Sequence, residues 1–336
     1  MSIISSIILI VLLFNHHQNL ASGQSIKFSD DNHHFNQRPV IGILTMPIED
    51  SGNRTSPSNF PSSYVKFIES AGGRVIPVLV GKDEDYYAKM INITSGMLLT
   101  GGSIDLTDSV YTQSAYLIWK ITLKINDNDQ YYPLLGICQG FEFFLYAANG
   151  LAEWPLIKCE AENLVERLTF MVNETQIKQS KMFQWASDQI IKTLSNKRVT
   201  YNAHSWCLPV SPVSGQFFPR IGDFFRTLAK SIDSNGIEFI SLIESVDYPI
   251  YGLQFHPEKP AFEPVISPDR SNTPHSLDAV LIGQFFANLF ISEARKSVHR
   301  FPDDNYNYRK QLIYNYCPQY TALNASYDNE QVYYFN

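Results

Sequence analysis

The sequence is short of charge, of cysteine and of long apolar runs, and each shortage closes off a class of protein. Only 18% of its 336 residues are Asp, Glu, Lys or Arg, and the basic ones form no cluster. With a formal net charge of -7, the chain lacks the electrostatic footprint of nucleic-acid binding. Four cysteines, Cys138, Cys159, Cys207 and Cys317, fit neither zinc-ligand spacing nor a dense disulfide framework. If Cys138 stays free, the other three allow at most one intramolecular disulfide. Past the first segment no apolar stretch looks long enough to span a membrane, and no internal repeat or long polar tract interrupts the chain. What is present is apolar substance, 44% hydrophobic and 13% aromatic, enough for a full core and too much for global disorder.

The apolar run of residues 3–14 is too short and too serine-interrupted for a membrane span. Small residues at Ala21 and Gly23 suit a signal peptidase, so residues 1–23 are expected to be a signal peptide with cleavage before Gln24. No Lys or Arg precedes the run, as one usually would. Residues 24–336 are expected to form a single domain with a C-terminal tail. Secretory entry gives meaning to four N-x-S/T triplets, making Asn53, Asn92, Asn173 and Asn324 candidate glycosylation sites.

Short, nearly continuous apolar runs alternate with stretches of helical spacing. Residues 39–44, 74–80, 96–100 and 132–137 read as strands, and 62–71, 86–93, 111–126 and 139–148 as helices. Uninterrupted apolar strands alternating with helices imply an α/β fold, with a mainly parallel central sheet covered by helices on both faces. The second half is less regular. Residues 199–202, 238–244 and 250–255 are strand-like, and 278–296 form a long terminal helix.

Three motifs fall at the C-terminal ends of these strands, where open α/β sheets place ligands. In Gly136-Ile137-Cys138-Gln139-Gly140 a strand runs in and a helix runs out, the setting of a nucleophile elbow. The helix N-terminus beneath the sulfur favours thiolate, and the Gln139 N–H points to where an oxyanion would form. In Phe255-His256-Pro257-Glu258 a strand delivers a histidine with a carboxylate two residues on, on the same side of an extended segment. Glu258 can thus orient His256 toward a nucleophile. Paired glycines at Gly101-Gly102 after a third strand allow close backbone approach and a second oxyanion donor. Each motif alone also fits an ordinary turn. Together they supply nucleophile, base, orienter and oxyanion donors.

This combination resembles a class I glutamine amidotransferase-type, flavodoxin-like domain. Those enzymes typically carry Gln four residues after the nucleophile, where this chain has Glu142. With LLGICQGFE, YGLQFHPEK, RPVIGIL, SYVKFIESAGGRVIPV, ISEARK and LIYNY, the chain resembles the γ-glutamyl hydrolases, or folate γ-glutamyl hydrolases, from about Arg38 to its end. The resemblance implies Cys138 as nucleophile, His256 as general base and acid, and Glu258 as third member. It also implies that Glu142, His204 and Gln254 line the substrate pocket. A structural role for His204 in a buried turn remains open at this point.

The reaction expected from the resemblance is that of a cysteine-type omega peptidase. It would cleave γ-glutamyl amide bonds of folate and antifolate poly-γ-glutamates through a thioester, with no metal or organic cofactor. An extracellular or lysosomal/vacuolar site and a homodimer are implied in the same way. A chain of charge -7 would repel such polyanions. Protonation of the six histidines beyond the leader would bring it to about -1 at lysosomal pH. Two alternatives are an amidase for other γ-glutamyl compounds or glutamine, and a secreted binding protein of the same fold without turnover.

Overall fold

The computed structural model describes residues 35–48, 57–211, 218–264, 270–323 and 329–336. The signal-peptide segment, Asn53 and Asn324 lie outside them. In chain order the strands are β1 (Val40–Leu44), β2 (Met46–Pro47), β3 (Ser58–Pro61), β4 (Arg74–Val78), β5 (Gly96–Leu99), β6 (Leu134–Ile137) and β7 (Ile157–Glu166). There follow β8 (Thr169–Phe170), β9 (Thr200–Cys207), β10 (Phe225–Ile232), β11 (Glu238–Ser245), β12 (Ile250–Leu253), β13 (Gln319–Tyr320) and β14 (Gln331–Phe335).

Eight strands form the central sheet in the order β4-β1-β5-β6-β12-β11-β10-β8. The first five are parallel, and β11, β10 and β8 extend the edge antiparallel. The parallel block has the flavodoxin-like order 2-1-3-4-5, so the expected mainly parallel α/β sheet is present. Strands β1, β5, β6 and β12 are buried along their whole length, as strands covered on both faces must be. Two large apolar clusters flank the sheet, one built around Trp119, Phe141, Phe143 and Phe144 and the other around Phe67, Phe183, Phe286 and Phe290.

Two departures from the sequence reading matter for the site. The long polar segment β7 pairs antiparallel with β9 as a separate two-stranded ribbon. The expected tail instead folds back, with β14 pairing β3 in a second, four-stranded sheet. One described helix, Leu277–Arg295, is long and apolar enough to cross a membrane, contrary to the reading that no later run was. The fold uses it as core, burying Ile282, Phe286 and Phe290.

Candidate active site

Three neighbouring strands deliver the three motifs to one edge. Strand β5 leads into Gly101-Gly102, β6 into Cys138, and β12 into His256, and register pairs Leu99 with Gly136 and Leu253 with Ile137. Gly101 follows β5 beside β1, where the strand order reverses and open α/β sheets form a ligand crevice.

Cys138 has φ 51° and ψ −107°, a conformation that side-chain-bearing residues rarely hold, and it caps the helix Gln139–Ala148. The turn closes only because its neighbours are glycines. A Cβ on Gly140 would stand 2.3 Å from the Leu99 carbonyl oxygen, and one on Gly136 2.6 Å from the Gly140 backbone. The Gly140 N–H donates to the Thr100 carbonyl at 3.1 Å, tying the elbow to the glycine loop. The Gln139 side chain tightens that tie, donating to the Ile104 carbonyl at 2.5 Å and accepting from its N–H at 3.2 Å. Its amide is therefore committed to positioning the loop.

His256 Nδ1 lies 2.7 Å from Glu258 Oε1, leaving Nε2 for chemistry. Nucleophile and imidazole converge on Gly101. A Cβ there would lie 2.7 Å from His256 Cε1 and 3.2 Å from Cys138 Cβ. A residue that sequence reading missed completes the group. Tyr64, in the helix Ser62–Ser70, accepts the Gly101 N–H at 2.9 Å, and its hydroxyl sits 3.4 Å from His256 Nδ1. The Gly101 N–H is thus spent on Tyr64. Among the described residues the Gly102 N–H has no acceptor, so Gly102 and Gln139 remain the candidates for the oxyanion donors expected from the sequence. The only trace of Tyr64 in the sequence is its place in the SYVKFIE helix.

The surroundings decide the charges. Burial, then Glu142, Glu258 and Glu162, push the Cys138 thiol well above its usual range, against the Gln139 N–H that lowers it. Burial pulls His256 down, with Glu258 opposing. Burial also pushes Glu258 up, but His256 and Lys259 outweigh it and hold the carboxylate ionised. Against the expectation that the helix N-terminus favours thiolate, the buried site favours neutral thiol and imidazole, because desolvation penalises both charges.

Glu142 is buried at the first turn of the Cys138 helix, and its carboxyl is pushed up to about 8, chiefly by burial. Gln254, expected at the pocket wall, is fully buried behind it and donates to Glu142 Oε1 at 3.1 Å. His204 stands at the cleft with its ring wedged against Phe239 and the sulfurs of Cys159 and Cys207. Burial and nearby His256 lower it to about 3, so it stays neutral. Burial lowers His299 as well. The expectation that all histidines charge in acid is therefore corrected. Glu142, already protonated below about pH 8, removes one negative charge from the cleft before any acidification.

A test follows from Glu142. Its charge adds to the load on Cys138 only when ionised. Glu142→Gln should raise alkylation of Cys138 by iodoacetamide about three- to tenfold near pH 8.5 and change it little at pH 5. The measurement is the pH–rate profile of both proteins. Superimposable alkaline limbs would mean that the sulfur does not feel Glu142.

The site opens into a cleft of about 1240 Å³, lined among others by Gly101, Gly102, Cys138, Gln139, Glu142, His204 and His256. A family model described as Peptidase C26 matches residues 39–258. The chain is similar to gamma-glutamyl hydrolase B of Dictyostelium discoideum, 37% identical over 311 residues that cover 90% of this chain and 84% of that protein. It is 34% identical to gamma-glutamyl hydrolase of Rattus norvegicus over 302 residues, covering 89% of this chain and 90% of that protein. Among solved structures, the glutaminase domain of Trypanosoma brucei CTPS with bound acivicin aligns with TM-score 0.49 and 13% identity over 79% of this chain and 96% of that one.

Proposed function

The chain belongs to the peptidase C26 family, and on that footing we propose that it is a cysteine hydrolase of γ-glutamyl amide bonds whose substrates are folate poly-γ-glutamates. One observation carries the chemistry. A cysteine on a strained elbow ends one strand, and a histidine held 2.7 Å from a buried carboxylate ends the next.

From the neutral pair, His256 Nε2 takes the thiol proton as the Cys138 sulfur bonds to the γ-carbonyl carbon. The Gln139 and Gly102 N–H groups hold the resulting oxyanion. Glu258 stabilises the imidazolium, which passes its proton to the departing amine as the C–N bond breaks. Neutral His256 then deprotonates a water that cleaves the thioester, and the thiol regains its proton.

Entry to the secretory route, with an extracellular or lysosomal/vacuolar destination, is part of the same proposal. Two features support it. Cys159 and Cys207 form a disulfide, which persists in oxidising compartments. Asn92 and Asn173 are exposed, as glycan acceptors in a folded protein must be.

Incubation with pteroyl-pentaglutamate and separation of the products tests the reading. Shortened pteroylglutamates with released glutamate or poly-γ-glutamate are expected. Cleavage only of glutamine or of small γ-glutamyl compounds would favour the amidase alternative, and binding without turnover would favour the binding protein.

A further inference from the structure

The β7–β9 ribbon carries a feature outside the machinery above. Register sets Lys158 opposite Trp206, and Ile157 opposite Cys207. The Cys159–Cys207 disulfide crosses the ribbon at this point, so the residue before each cysteine is one member of the Lys158–Trp206 pair. The Lys158 ammonium lies 4.0 Å over the Trp206 ring. Trp206 in turn meets Trp154 edge-on, with centroids 5.6 Å apart at 86°. All three line the cleft that holds Cys138 and His256. Among the described residues the buried Trp154 Nε1 has no acceptor, and Lys158 forms no ion pair. A cation–π contact holds the ammonium in place without neutralising it.

The chemistry of the cleft gives this wall a direction. His256 must face the departing amine, so the leaving glutamate lies on its side. The acyl part of the substrate then needs a different stretch of the lining, and Glu142 and Lys158, close enough to interact electrostatically, supply one. A γ-glutamyl residue carries its α-carboxylate three carbons from the γ-carbonyl. With that carbonyl at Cys138, the carboxylate must be received nearby. On the basis of the functional reading above, we propose that the disulfide-clamped Lys158–Trp206 pair is the anion-receiving wall of the cleft, with Lys158 pairing the α-carboxylate of the γ-glutamyl residue on the acyl side of the scissile bond. Glu142, in the same stretch, is held protonated by burial up to about pH 8, leaving Glu162 as the carboxylate close to this wall. The disulfide fixes the backbone that carries both residues, and the ring contact biases the ammonium toward the Trp206 face, so less side-chain freedom is lost on binding.

The test compares wild type, Lys158→Met and Lys158→Arg on a poly-γ-glutamyl substrate and on its analogue with the acyl-side α-carboxylate amidated. For Lys158→Met, KM on the carboxylate substrate should rise about tenfold with kcat within about twofold. Lys158→Arg should restore most of that loss. On the amidated analogue, wild type and Lys158→Met should be alike, since the partner charge is gone. A KM unchanged in Lys158→Met overturns the assignment. So does an equal loss on both substrates, or a fall in kcat with Tm, which would mark a structural role. If wild type cuts neither substrate, the functional reading itself fails and this inference falls with it. Wild-type cleavage with an indifferent Lys158 sinks only the wall.

Discussion

Cys138→Ala should lower kcat by about 10⁴-fold or more and leave Tm within about 2 °C of wild type. The substitution removes the only atom able to form the thioester, and neither His256 nor the oxyanion donors can replace it. Folding loses little. Among the described residues the sulfur's polar contacts are a long one to the Ala203 carbonyl, at 3.9 Å, and one with the Gln139 N–H, and the remaining side chain keeps its Cβ. Alanine also inherits the backbone conformation at φ 51°, so the strain of the elbow stays in place. Cys138→Gly separates the two effects. It should be equally inactive but more stable, because glycine holds this conformation without steric cost. The measurements are single-turnover product release and thermal unfolding of the three proteins. Turnover of Cys138→Ala within tenfold of wild type would remove Cys138 from the mechanism.

Gly101→Ala should cost about 10²- to 10³-fold in kcat/KM, although residue 101 contributes no chemistry of its own. Its Cβ would stand 2.7 Å from His256 Cε1, 2.8 Å from the Tyr64 hydroxyl and 3.2 Å from Cys138 Cβ. One methyl therefore wedges nucleophile and base apart and displaces the hydroxyl that holds the loop. The atoms in its way are side-chain atoms that can move, so the protein should still fold. Gly140→Ala is the contrasting case. There the added carbon would meet the Leu99 carbonyl at 2.3 Å, a backbone atom inside the sheet edge that cannot yield. Gly140→Ala should lose stability along with activity. Kinetics and Tm for both variants check the contrast. A Gly101→Ala enzyme within threefold of wild type would show that the dyad is not held at contact distance.

Much of the first half was legible because its information is local. Strands covered on both faces are written as unbroken apolar runs, and β1, β5 and β6 stand where such runs occur. The helix at residues 139–148 was read to its observed limits, since Gly140 and Asn149-Gly150 punctuate it. The ribbon strand β7, with the sequence IKCEAENLVE, was not legible. It pairs with one neighbour outside the main sheet and is half exposed, so it carries no core-facing run. The strand β14 was equally hidden, because its partner β3 lies about 270 residues away in the chain.

By itself, then, the sequence determined the alternation of the parallel sheet and the elbow around Cys138. It also placed His256 two residues from its carboxylate partner. All of these follow from bonds and contacts between near neighbours. The tertiary structure alone decided that Tyr64 joins His256 and Gly101, that Cys159 pairs with Cys207, and that Lys158 lies over Trp206. It also decided the protonation of the site, holding Glu142 neutral to about pH 8 and His204 neutral to about pH 3. The physical reason is desolvation. The free energy of a charge depends on how much water and which dipoles surround it, and that environment is assembled from segments far apart in the chain.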